Sequence, residues 1–80
     1  MNRQDLPGLV MEALISLGGQ GTIVQVCKYI WNKEEQELKR SGDLFYTWQY
    51  DMRWAGQYLR DEGKLVNAKD APKGLWVVAK

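Results

Sequence analysis

The chain has 80 residues, with 11 Lys and Arg against 10 Asp and Glu, so its formal net charge is +1. It has no His and a single Cys, which excludes an intrachain disulfide, a four-ligand zinc site and a His-dependent nucleophile. We therefore expect one domain over residues 1–80 that is not an enzyme and has no catalytic residue, metal or cofactor. The lone Cys27 and the lack of a long apolar stretch predict a cytoplasmic protein without a membrane partner.

The first predicted helix covers residues 5–17. Its apolar residues recur at spacings of three and four, which indicates one buried stripe. They are Leu6, Leu9, Val10, Ala13, Leu14 and Leu17. Asp5 is the predicted cap and Pro7 suits the first turn, where its missing N–H costs nothing. Gly18 and Gly19 are expected to end the helix, because glycine tolerates the left-handed conformation there.

The second predicted helix begins after Thr22, which is expected to cap it with Gln25 as capping-box partner. An apolar stripe follows, and we expect this helix to end near Asn32. Residues 33–40 place acids before bases, which suits a helix dipole, but contain Leu38 as their only apolar residue. That segment is predicted to be a short, solvated helical connection.

The third predicted helix is Leu44–Asp61, with Ser41 or Asp43 as its cap and Gly63 as its stop. Its residues divide between two faces at spacings of three and four. The apolar face holds Leu44, Trp48, Met52, Ala55 and Leu59, and the polar face holds Tyr46, Gln49, Tyr50, Arg53, Gln57 and Arg60.

The last segment alternates between apolar and polar residues. Residues 65–66 and 75–78 are predicted strands, joined by a turn over 67–74 that carries Lys69 and Lys73. An isolated hairpin is not stable in water, so we expect Trp76 and Val78 to anchor it on the helices. Residues 20–23 are a candidate third strand. Three main helices followed by a C-terminal hairpin indicate an α+β fold of the winged-helix type.

Several residues of the third helix and hairpin follow a recognisable order. They are Trp48, Met52, Trp54, Ala55, Tyr58 and Leu59, then Gly63 and Leu65, then Gly74, Leu75, Trp76, Val77 and Val78. This order resembles the N-terminal winged-helix domain of Mrr-type restriction endonucleases, and related helix-turn-helix domains are the second resemblance. It implies that the third helix and the wing bind DNA and that a nuclease domain commonly follows. That family often has Arg where Asp51 stands here.

The polar face of the third helix is the main candidate site for double-stranded DNA. A recognition helix places residues near its N-terminus at base edges, where Arg pairs with guanine and Gln with adenine. The predicted contacts are Tyr46, Thr47, Gln49, Tyr50 and Arg53 on the helix, with Lys69 and Lys73 on the wing. The alternative for the helix is a solvated face, and for the lysines an edge that discourages strand pairing.

A second function fits the same fold. Residues 43–80 hold six basic and five acidic side chains, which is a weak positive balance for a DNA reader. A protein–protein interaction or dimerisation module is therefore the alternative, with a homodimer or a fused nuclease or effector domain as partner. Trp48 and Trp76 are predicted to lie in the core, and Cys27 to be a small core residue.

Overall fold

The computed structural model of the protein describes residues 1–79. A short 3-10 turn, Arg3–Asp5, leads into helix α1, Leu6–Ser16. Strand β1, Gln20–Gly21, precedes helix α2, Ile23–Lys39; helix α3, Leu44–Asp61, and strand β2, Trp76–Val77, complete the order. Three helices and a two-stranded antiparallel sheet make an α+β fold, as the sequence predicts, and the arrangement is compatible with a winged helix.

The start of α1 is capped differently from the prediction. The side chain of Asn2 accepts a hydrogen bond from the amide of Gln4 at 3.0 Å, while the amide of Asn2 donates to Oδ2 of Asp5 at 2.9 Å. Asp5 is thus the partner in a capping box one turn earlier and makes no side-chain cap on α1 itself. Pro7 lies in the first turn, as predicted.

Helix α2 confirms its predicted start and extends past its predicted end. Oγ1 of Thr22 accepts from the amide of Gln25 at 3.1 Å, and the amide of Thr22 donates to Oε1 of Gln25 at 2.8 Å. The end predicted near Asn32 is wrong, because the helix runs on to Lys39 through a kink at Glu34, where φ is −117°. Leu38 beyond the kink is fully buried, so this end packs on the core and is not merely solvated.

Helix α3 has the predicted bounds, and its predicted apolar face is buried. The predicted side-chain cap is absent among the described residues: Asp43 caps nothing, and the amide of Leu44 donates to the carbonyl of Ser41 at 3.2 Å. Trp48 is 3% exposed and belongs to a continuous core shared by all three helices.

The predicted hairpin is much reduced, and the candidate third strand provides the main pairing. Strand β2 pairs antiparallel with β1, with Gln20 opposite Val77 and Gly21 opposite Trp76. The predicted strand at 65–66 forms a single bridge, Leu65 to Val78, supported by a 2.8 Å hydrogen bond from the amide of Val66 to the carbonyl of Val77. The sheet is short, so packing of its side chains on α3 must hold it in place.

Candidate functional site

The predicted contact residues on α3 reach solvent along the side opposite the core. Tyr46 and Tyr50 are 83% and 79% exposed, the highest values among the large hydrophobic side chains. Arg53 and Gln49 are also exposed. A helix turns by about 100° per residue, so Tyr46, Tyr50 and Arg53 form one continuous outer stripe, with Gln49 at its edge.

Thr47 lies apart from the other predicted contacts. It stands about 160° around the helix from Gln49, at the opposite edge of the exposed surface. Its hydroxyl donates to Oδ2 of Asp51 at 3.0 Å, one turn later. This pair therefore occupies one flank of α3, and Asp51 does not interrupt the stripe that carries Arg53.

A groove runs between α2 and α3, and we call it the α2–α3 groove. Its volume is about 510 Å³. Its apolar lining residues are Ile23, Val24, Cys27, Trp31 and Trp48, and its polar lining residues are Lys28, Asn32, Gln49 and Arg53. Two predicted contacts, Gln49 and Arg53, thus stand on one wall of a groove whose other wall carries Lys28.

A second depression, the α3–loop cleft, joins α3 to the connection between Leu65 and β2. Its volume is about 420 Å³. Arg53, Gln57 and Arg60 line its helical side, and the loop contributes Ala68, Pro72, Gly74 and Leu75, with Trp76 beyond. Lys69 and Lys73 are exposed on that loop, each next in sequence to a residue lining the cleft. The loop that carries the predicted wing lysines therefore borders the cleft that Arg53 lines.

Charge is divided unevenly over the surface. Within residues 1–79, the three ion pairs use Lys33, Lys39 and Arg40, so Lys28, Arg53 and Arg60 have no carboxylate within 4.0 Å. No acidic residue in this part of the chain lines the α2–α3 groove or the α3–loop cleft. Four carboxylates instead line a depression between α1 and the end of α2: Asp5, Glu12, Glu34 and Glu37.

The tryptophans mainly have structural contacts. Trp31 stacks on buried Trp48, with ring centroids 6.1 Å apart and planes 7° apart. The rings of Trp54 and Tyr58 stack with their centroids 5.6 Å apart, and the guanidinium carbon of Arg3 lies 4.1 Å from the centroid of the Trp54 ring. Trp76 is half-buried and packs against the core, which fits its predicted role as an anchor, but it is not one of the buried core residues as predicted.

Two residues of the cleft are missing from the contacts predicted by sequence. Gln57 and Arg60 follow Arg53 by four and seven residues, so helical spacing already puts them on the same side of α3. The prediction favoured the N-terminal half of the helix, where recognition helices contact bases. Their position beside the loop follows from tertiary packing, which the spacing does not show.

Cys27 is half-buried in the α2–α3 groove, and burial raises the pKa of its thiol. A raised pKa keeps the thiol protonated near neutral pH, which lowers its reactivity. Among residues 1–79, no three His, Cys, Asp or Glu side chains are grouped so that they could hold a metal ion.

Comparisons of the chain with protein-family models, with curated proteins and with solved structures gave no match. Over the described residues, no helix has both the length and the apolar character needed to cross a membrane. The function must therefore be inferred from the geometry and charge of the chain's own residues.

Proposed function

We propose that this chain is a winged-helix module that binds double-stranded DNA, with α3 as the recognition helix and residues 67–74 as the wing. The observation that carries this proposal is the α3–loop cleft, in which Arg53 and Arg60 face the loop with no acidic neighbour in its lining within residues 1–79. Phosphates supply most of the binding energy for DNA, and they require cations free to pair with them.

The residues divide by their place on α3. Gln49 lies in its first half and Arg53 at its middle, and both are exposed side chains of the types that read adenine and guanine. Arg60 lies in the last turns beside the loop, and Lys73 is exposed on the loop itself. We assign Gln49 and Arg53 to base contacts and Arg60, Lys69 and Lys73 to phosphates.

The charge division supports this proposal in spite of the net charge of +1. The acidic depression shares no lining residue with the α3–loop cleft, so its four carboxylates offset the total charge away from that cleft, and Asp70 is the one acid on the proposed wing. Few phosphate contacts give modest affinity that falls with salt. Such a module suits the DNA-reading part of a restriction-type or regulatory protein, in which a fused nuclease or effector domain or a second copy adds affinity.

The test is a titration of the full chain with a mixed-sequence DNA duplex at low salt, in which binding is monitored through the amide chemical shifts of the protein. We expect shifts concentrated in α3 and residues 67–74. Arg60→Ala should weaken binding, whereas Arg40→Ala, which removes the same charge from an exposed site paired with Glu37, should leave it nearly unchanged. An absence of shifts at millimolar duplex would overturn the proposal.

The exposed tyrosines favour one alternative, a protein-interaction or dimerisation module. Tyr46 and Tyr50 stand one turn apart and leave most of their rings in water, and Tyr is enriched at protein interfaces. Sedimentation of the chain over a range of concentrations distinguishes the two functions. A dimer that Tyr46→Ser and Tyr50→Ser disrupt would favour this alternative, and a monomer at all concentrations would count against homodimerisation.

A further inference from the structure

The α2–α3 groove has a mostly apolar wall on α2 that includes the partly buried Trp31. Val24 is 57% exposed, and Ile23, Cys27 and Trp31 are partly buried along the same side of α2. The indole of Trp31 is held nearly parallel to the buried Trp48 ring. This wall therefore offers a largely apolar surface, held in place by the Trp31–Trp48 stack, against which an apolar ring system can lie.

The opposite wall of the groove is polar and cationic. Helix α3 contributes Gln49, Arg53 and the almost fully buried Trp48 to the lining. Arg53 stands at the Ile23 end, since both residues also line the α3–loop cleft. Lys28 projects from α2, and with Arg53 it gives the groove two cations and, over residues 1–79, no acid.

We propose that the α2–α3 groove binds a small organic anion, a planar apolar ring system that carries a carboxylate or sulfonate. The ring lies against Val24 and Trp31, and the anionic group points to Arg53 and Lys28. The groove volume of about 510 Å³ is within the range of small-ligand sites. This site does not depend on DNA binding.

The shape of the groove favours a small ligand over a partner helix. A helix docked in a groove buries its apolar residues against two apolar walls. Here the α2 wall is apolar apart from Lys28 and Asn32, whereas the α3 wall exposes Gln49 and Arg53 and keeps Trp48 3% exposed. A flat anion needs one apolar wall and a cation opposite it, which is the arrangement present.

The test uses two fluorescent probes that differ in charge, without DNA. The full chain is titrated with 1-anilinonaphthalene-8-sulfonate and, in parallel, with neutral N-phenyl-1-naphthylamine, while energy transfer from tryptophan is followed. We expect saturable one-to-one binding of the sulfonate and at least tenfold weaker binding of the neutral probe. Amide shifts should be confined to the groove, with the dispersion of the folded spectrum retained.

Variants on the rim of the groove make the test specific. Lys28→Gln and Arg53→Gln should each weaken sulfonate binding about three- to tenfold, and Val24→Asp should weaken it at least as much. Arg40→Gln, outside the groove, should leave the affinity unchanged. Equal binding of the two probes, or no effect of the rim variants, would overturn the proposal.

Two other occupants of the groove would give distinct results. A dimer that Val24→Asp dissociates would show that a second copy covers the groove, which overturns the small-ligand site. An amphipathic peptide of Glu and Leu that displaces the sulfonate at lower concentration would also overturn it in favour of a protein partner. Failure of the DNA titration would leave this site intact, because these readouts contain no DNA.

Discussion

The indole of Trp76 lies directly against the backbone of Gly56. A Cβ atom placed on Gly56 would stand 2.7 Å from Cζ2 and 2.9 Å from Cη2 of Trp76. Atoms of this kind do not approach so closely, so only glycine leaves room for the ring. The contact fixes β2 on α3 and places Trp76 beside Arg60, whose guanidinium carbon is 6.0 Å from its ring centroid.

Gly56→Ala should destabilise the protein by about 1–2 kcal/mol. Overpacking costs about 1–3 kcal/mol, and the better helix propensity of Ala offsets part of that cost. Urea unfolding gives the free energy, and amide shifts should change through residues 65–79, since the indole must move.

Gly8→Ala is the matched control for that substitution. Gly8 also lies in a helix, and a Cβ there would meet no atom within 4 Å. This change should stabilise the protein by about 0.5–1 kcal/mol, because alanine loses less backbone conformational entropy than glycine on folding and no overpacking opposes that gain. Equal effects of the two alanines would show that the Trp76 contact does not restrict position 56.

Local patterns predicted much of the fold, because caps and apolar stripes depend on neighbours in sequence. The Thr22 capping box and the bounds of α3 follow directly from such patterns. The end of α2 could not be predicted in this way, because burial of Leu38 depends on the other helices and a single apolar residue gives no periodic signal. Residues 65–66 form only one bridge, and the longer pairing of β2 is with β1.

The candidate site, like the fold, could be predicted from the sequence only where it depends on neighbours along the chain. The α3 stripe follows from helical spacing, but the sequence does not show which polar residues share a cleft. Its place near the N-terminus of α3 predicts Thr47 as a base contact, whereas helical rotation puts it on the other flank from Gln49, beside Asp51. Arg60 and the loop line one cleft together with Trp76, which packs on Gly56, and this tertiary contact has no local signature in the sequence.

Thr22→Ala should destabilise the protein by about 1 kcal/mol. The hydroxyl satisfies the amide of Gln25, and its loss leaves that helix-end donor unpaired. Thr22→Ser keeps the hydroxyl and should restore most of the loss. Both are measured by urea unfolding, and an equal loss in the serine variant would assign the effect to the methyl group instead of the cap.

The ion pair between Lys33 and Glu12 should stabilise the protein up to alkaline pH. Nζ of Lys33 lies 2.6 Å from Oε2 of Glu12, and this hydrogen bond raises the pKa of Lys33 above its ordinary value of 10.5. A group whose pKa is raised on folding adds its full contribution to the free energy of unfolding at pH values below its unfolded pKa. That contribution is lost as pH rises through the folded pKa. The contribution is therefore constant from neutral pH to near 10 and declines above about 10.5.

Glu12→Gln isolates this contribution. The difference in unfolding free energy between the parent chain and the variant should be steady between pH 7 and pH 9 and should shrink above about pH 10.5. A difference that grows with pH would contradict the pairing, as would a variant as stable as the parent at pH 7.

Three substitutions on α3 should separate base reading from phosphate binding in the proposed DNA complex. Arg53→Ala should weaken binding by about 1–3 kcal/mol and change the base preference, because Arg53 is exposed at the middle of the helix and is assigned to a base. Arg60→Ala should weaken all duplexes alike and reduce the slope of log affinity against log salt by about one. Thr47→Ala should change the affinity for DNA little, because the Thr47 hydroxyl is bound to Asp51 on the far flank.

The affinities and their salt dependence are measured by fluorescence anisotropy with a set of duplexes at several salt concentrations. If Thr47→Ala were as damaging as Arg53→Ala, the duplex would have to contact the opposite flank of α3, and the α3–loop cleft would not be the binding side.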